Sequence, residues 1–137
     1  MSASTRLAGL TLDAGALIGL ERRAERVTSL LREAHRLELS VVIPAGALAQ
    51  VWRDGRKQAR LAHFVKVGII GDARAPTIEP LHELMARQAG ALCGLTGTSD
   101  VIDASVVLVA RMHGHAVVTS DPADLAKLDS ELQLIVV

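Results

Sequence analysis

Short apolar runs that alternate with longer amphipathic stretches predict an α/β fold, with a mostly parallel central sheet of about five strands and helices on both faces. Two further observations support that class. The apolar runs Gly9-Leu10-Thr11-Leu12 and Ala116-Val117-Val118-Thr119 lie near opposite ends of the chain and are followed by Asp13 and Asp121, as strands of one sheet feeding one crevice would be. At 137 residues, half of them hydrophobic, the chain has the length and the apolar content of a single domain over 1–137.

Each element has a local reason. The first strand covers residues 9–12 and leads into a short helix over 14–20. A polar helix follows over 24–37, where Val27, Leu30, Leu31 and Ala34 recur at helical spacing and the arginines fall on the outer face. The second strand covers 39–43. Pro44 suits the first position of the next helix, because the N–H it lacks would have no partner there, and that helix is expected to reach residue 52. A basic stretch over 57–67 reads as helix. Residues 68–80, with two prolines and two glycines, are the least regular segment and hold one strand over 76–79. Helices over 81–92 and 100–113 are separated by a loop at 94–99, and Gly114 stops the second. A strand over 116–119, a short helix over 122–128 and a strand over 133–136 complete the chain. Thr-Ser-Asp occurs at 98–100 and 119–121 with different flanks, so no internal repeat is read from it.

Composition narrows the function. Trp52 and Phe64 are the only tryptophan and phenylalanine and there is no tyrosine. The core is left to Leu, Val, Ile and Ala, base stacking on aromatic platforms is disfavoured, and Trp52 is expected as a core or interface anchor. Net charge is zero and the pI is about 7.0, so only the placement of charges can attract a polyanion. The single cysteine, Cys93, excludes an internal disulfide, reads as a small buried helix residue and fits a reducing compartment. No run approaches the roughly 18 apolar residues of a membrane span, and Arg6 alone does not make a signal-peptide start. A soluble cytoplasmic domain is expected.

The aspartates carry the functional signal. Residues just past the carboxyl ends of neighbouring parallel strands line one crevice, so Asp13 and Asp121 are expected to meet. Asp100 and Asp103, three apart at the start of the longest apolar helix pattern, share one helix face and can look into the same crevice. Four carboxylates so gathered repel unless a cation holds them. That points to a hard divalent ion, magnesium with manganese as a substitute, and to chemistry on phosphate. Taken singly, each has an ordinary explanation, since Asp suits first helical turns and strand-ending turns; their joint placement is what signals a site. Thr119 and Ser120 stand where they could hydrogen-bond a metal-bound water or phosphate, and Ser120 equally could cap the helix from Pro122. Asp124 either stands at the rim of the crevice or serves the dipole of that helix.

At these residues the chain resembles a known family. Leu-Asp-Ala-Gly-Ala-Leu-Ile around Asp13, Asp-Val-Ile-Asp-Ala-Ser-Val-Val around Asp103 and Val-Val-Thr-Ser-Asp-Pro-Ala-Asp-Leu around Asp121 are similar to the motifs of PIN-domain ribonucleases, in the same order and over essentially the whole chain. The nearest likeness is to VapC-type toxins of bacterial type II toxin–antitoxin modules. The resemblance implies a PIN-like three-layer α/β/α fold and a magnesium- or manganese-dependent endoribonuclease. Such an enzyme cuts structured RNA such as tRNA or rRNA, as a homodimer kept silent by a cognate VapB-like antitoxin. Residue by residue, it implies that Asp13, Asp103 and Asp121 are catalytic metal ligands, with Asp100 as an added ligand one turn earlier. One departure stands out. Family toxins usually carry a Glu in the helix after the second strand, and Gln50 occupies that place; it can offer a carbonyl oxygen but removes one negative charge. Asp100 either compensates or the site is weakened.

Arg53, Arg56, Lys57, Arg60 and Lys66 against Asp54 form a basic stretch that suits RNA-phosphate contact as well as a solvated helix face; Arg22, Arg23 and Arg26 form a second such patch. His113-Gly114-His115 reads as a helix end rather than a transition-metal site. Two other functions stay in view. A phosphoacceptor receiver domain would need a Lys after a late strand, which is missing here. A PIN-like module disabled at Gln50 would still bind RNA or antitoxin.

Overall fold

Side-chain alternation along the strands sorts the core into two layers. Leu10 and Leu12 of β1 (Gly9–Leu12), Ile43 of β2 (Ser40–Pro44), and Ala116 and Val118 of β4 (Ala116–Thr119) pack on one face of the sheet; Val42 and Val117, one residue out of phase, pack on the other. The computed structural model describes residues 7–69 and 74–137, so Arg6 and part of the irregular segment, residues 70–73, lie outside the described residues. With β3 (Thr77–Glu79) and β5 (Leu134–Val136), the strands form one sheet in the order β3-β2-β1-β4-β5, every neighbouring pair parallel.

α1 (Ala14–Glu21), α2 (Glu25–Arg36) and α4 (Ala59–Val67) cover the first face through Leu17, Leu20, Val27, Leu31, Leu61 and Phe64. α5 (Glu83–Thr96), α6 (Val101–His113) and α7 (Pro122–Leu128) cover the second through Ala89, Cys93, Val106, Val107, Leu125 and Leu128. α3 (Ala45–Val51) spans the two layers, with Ala47 in the second cluster and Val51 in the first. The expected three-layer α/β/α, PIN-like class with five strands is therefore found. Among the described residues, no single helix is long and apolar enough to cross a membrane.

Three local expectations need correction. The helix expected to end at 92 runs to Thr96, through Gly94. Its buried stripe of Met85, Ala89 and Cys93 continues at four-residue spacing while Gly90 and Gly94 face open space. Each glycine costs about 1 kcal/mol of helix propensity, which does not interrupt the stripe. The stop is Gly97, at φ 69° in the left-handed conformation that ends helices. Pro44 is not the first residue of α3: it ends β2, paired with Glu79, and flanks the helix in extended conformation. A strand end, like a helix start, tolerates the missing N–H. Trp52 is not a core residue; it lies at the end of α3 against Gly55, 38% exposed.

Candidate active site

The chain leaves β1 to build β2 and β3 on one side and then places β4 on the other side of β1, so the carboxyl ends of β1 and β4 flank the switch point of the sheet, where α/β folds open a crevice. Asp13 directly follows β1. Its N–H donates to the Val118 carbonyl at 3.2 Å, its Oδ1 accepts the Ala16 N–H at 2.9 Å and so caps α1, and the Thr119 hydroxyl donates to the same carboxylate. With 5% exposure, burial pushes the Asp13 pKa up against those hydrogen bonds. The Thr119 Oγ1 also accepts the Asp121 N–H at 2.9 Å, so one buried hydroxyl ties the two strand-end aspartates together.

Asp100 caps α6, its Oδ1 accepting from the N–H groups of Ile102 at 3.1 Å and Asp103 at 2.9 Å. That cap fixes the first turn of α6, and with it the half-buried Asp103. Burial, the Asp100 charge and a hydrogen bond with Asp100, together with the charges of Asp13 and Asp124, push the Asp103 carboxyl up to about 7. Asp121 is raised chiefly by a hydrogen bond with Asp124 and by its charge, then by burial and Asp13, with Lys127 opposing. The four aspartates read from the sequence, plus Asp124, therefore act on one another as a single group of charges. Asp124, two-sided in the sequence, belongs to this cluster and is held from one side by Lys127, 3.8 Å away.

The donor set consists of hard oxygens alone, and the like charges that add to burial at Asp103 and to the Asp124 hydrogen bond at Asp121 are what a cation would relieve. Among the described residues, no three acidic, His or Cys side chains close a cage around one point. Magnesium keeps several waters and takes one or two carboxylates directly, so its binding does not require such a cage. The residues thus fit a hydrated hard ion.

Of the other sequence candidates, Ser120 stays beside Asp13, its Oγ and the Asp13 Oδ1 both bordering Gly15, and the rest lie apart from it. Ser120 is exposed beside Gly15, where a Cβ would overlap its Oγ, and its expected capping role passes to Asp121, which flanks α7 without a side-chain bond. Gln50 is exposed on α3 and lines a depression with Ile18, Glu21, Arg22, Arg53 and Gln58, whereas Asp100, Asp103 and Asp124 line another. In the basic stretch, Arg53 donates to the carbonyls of Ala49 and Trp52, Arg56 pairs with Asp54, Arg60 pairs with Glu21, and Lys57 is exposed. The two histidines are engaged in structure: His113 Nε2 lies 3.0 Å from Glu79 Oε1 and His115 Nδ1 lies 3.1 Å from Thr11 Oγ1. Lys127 was not singled out in the sequence, although its place three residues after Asp124 on one helix face carried the signal.

Neither a protein-family model nor a curated protein sequence matches this chain. Solved structures do. The chain is similar to one in the crystal structure of VapBC2 from Rickettsia felis bound to a DNA fragment from its promoter, with a TM-score of 0.69 and 13% identity over 93% of this chain and 98% of that one. It is similar to a chain of a toxin–antitoxin complex from Klebsiella pneumoniae, with a TM-score of 0.65 and 15% identity over 93% and 96%. A third likeness, to FitAcB from Neisseria gonorrhoeae, has a TM-score of 0.56 and 19% identity over 92% and 96%. By fold, the chain is a PIN-like α/β domain with structural counterparts in VapBC2 and in a toxin–antitoxin complex.

Proposed function

We propose that this protein is a VapC-like toxin, a metal-dependent endoribonuclease that hydrolyses phosphodiester bonds in structured RNA such as tRNA or rRNA. The observation that carries the reading is the meeting of Asp13, Asp103 and Asp121, with Asp100 and Asp124, at the switch point of a parallel sheet. Asp13 and Asp100 also cap α1 and α6, but the caps do not require Asp103, Asp121 and Asp124 beside them, and like charges so gathered are the pattern of a site rather than of a scaffold.

Asp13, Asp103 and Asp121 would hold magnesium or manganese directly or through water, with Asp100 as the added carboxylate. When bound, such an ion polarises a phosphate oxygen and lowers the pKa of water. The chain's own residues prepare that chemistry. Capping by Ala16 N–H and the Thr119 hydroxyl fix the Asp13 carboxylate. The Asp100 cap holds Asp103 at the start of α6. Asp103 ionises near pH 7, so metal affinity rises with pH through neutrality. Attack by water in line with the leaving oxygen needs no histidine or serine nucleophile, in keeping with the structural engagement of His113 and His115.

The structural counterparts in toxin–antitoxin complexes support a cognate VapB-like antitoxin as partner. A homodimer and a cytoplasmic location complete the reading by analogy with the family. A second reading, a module that binds RNA or antitoxin without cutting, rests on Gln50, which lies in a depression apart from the carboxylates. One assay separates the two: end-labelled total tRNA and rRNA incubated with the antitoxin-free protein in magnesium, in manganese and in EDTA. Discrete cuts that need metal are expected, with a loss of about 100-fold or more in Asp13→Asn, since even partners outside the ligand shell cost 10- to 100-fold. A folded protein that binds RNA and cuts none in either metal overturns the nuclease reading in favour of the binding module.

A further inference from the structure

A groove of about 480 Å3 is lined by Asp100, Asp103, Asp124 and Lys127 and by Thr98 and Ser99 of the turn that joins α5 to α6. That volume is in the range of ligand clefts. Three of its lining side chains are carboxylates, and Lys127 is the one cation among its described lining residues. The Lys127 Nζ stands 3.8 Å from Asp124 Oδ1, beyond hydrogen-bond reach, and its side chain is 67% exposed. The ammonium thus stands at the groove beside Asp124 without a hydrogen bond to it. The arginines expected to meet RNA are arranged differently, since Arg53, Arg56 and Arg60 are engaged with carbonyls or carboxylates of their own neighbourhood.

A polyanionic strand entering this groove meets net negative charge, and a compact point cation on a flexible stem is how lysine engages phosphate. We propose that Lys127 contacts a phosphodiester flanking the scissile one, so that the groove between α7 and the α5–α6 turn holds the RNA strand alongside the carboxylates. This inference rests on the nuclease reading for its substrate and adds the groove that the strand occupies and a residue that binds it.

The test uses the full chain with total tRNA, measuring both cleavage and, by anisotropy of labelled tRNA, binding across a salt series. Lys127→Ala is expected to raise KM about fivefold to tenfold with kcat within about twofold. It should also flatten the slope of log affinity against log salt by about 0.7, the share of one phosphate contact on a single strand. Lys127→Arg should restore both. Asp124→Asn removes the ion pair but leaves the cation, and should bind tRNA at least as tightly as the unaltered protein. Unchanged KM and salt slope in Lys127→Ala, or equal losses of binding in Asp124→Asn and Lys127→Ala, would overturn the proposal while leaving the nuclease reading in place. If the unaltered protein binds tRNA without cutting it, the nuclease reading fails and the binding arm still decides the role of Lys127.

Discussion

Two polar clusters flank β4, one built around the buried His115 and the other open to solvent except at Asp13 and the half-buried Asp103, and they follow opposite principles. At its start, His115 is 6% exposed with its Nδ1 against the Thr11 hydroxyl, its ring stacked 5.1 Å from that of His113, and His113 paired with Glu79. Every group there has a partner, and burial, with the neighbouring His113, pushes the His115 pKa down toward the neutral form. Past the other end of β4, Asp13, Asp103, Asp121 and Asp124 face one another, and each described shift is upward: burial raises Asp13, burial and then the Asp100 charge raise Asp103, and a hydrogen bond with Asp124 and its charge raise Asp121. Among the described residues no buried side-chain nitrogen or oxygen lacks a partner, and Asp13, the buried carboxylate, accepts from Ala16 N–H and the Thr119 hydroxyl. What sets them apart is uncompensated charge. Satisfied polar groups hold a fold together, whereas gathered like charge costs stability and persists where something binds it.

The comparison breaks first on stability. His115→Ala, measured by urea unfolding at pH 7.5, should cost about 2 to 4 kcal/mol, for the lost packing under β1 and the hydroxyl of Thr11 left without its partner, while cleavage per folded molecule is retained. Asp103→Asn without metal should do the reverse, stabilising the fold by about 1 to 2 kcal/mol at pH 7.5 after solvent screening is discounted, and abolishing metal-dependent cleavage. The pH dependences are opposite in sign. The fold prefers Asp103 protonated, so its contribution is present at low pH and is lost as pH rises from about 4 through about 7. The fold prefers His115 neutral, so its contribution is present above about pH 6.5 and is lost on further acidification. Unfolding of the two variants at pH 5 and pH 7.5 separates them: the stability gained in Asp103→Asn should shrink at pH 5, and so should the stability lost in His115→Ala.

Much of this was legible in the sequence because it depends on local pattern. β1, β4 and α7 occupy the predicted residues, since alternation bounded by Asp13, Gly114 and Pro122 leaves little freedom. The gathering of Asp13, Asp103 and Asp121 was legible too, because in a parallel sheet the carboxyl ends converge whatever the loops do. The end of α5 was not. A glycine such as Gly94 reads as a breaker until packing shows that it faces solvent on a helix whose other side is buried. Nor could the sequence reveal that Arg56 and Arg60 are taken up by Asp54 and Glu21, the latter 39 residues away, leaving Lys127 as the cation beside the carboxylates. Such pairings are long-range or depend on a turn, and spacing carries no trace of them.

The central claim is that the repulsion among the carboxylates marks a metal site, and calorimetric titration of magnesium into the unaltered protein and into Asp103→Asn, at pH 6 and pH 7.5 in two buffers, tests it most directly. The account predicts saturable binding that tightens with pH and releases protons as Asp103 ionises, and affinity at least about tenfold weaker in the variant. Binding of equal strength in both proteins, or none by the folded unaltered protein at pH 7.5, would contradict it.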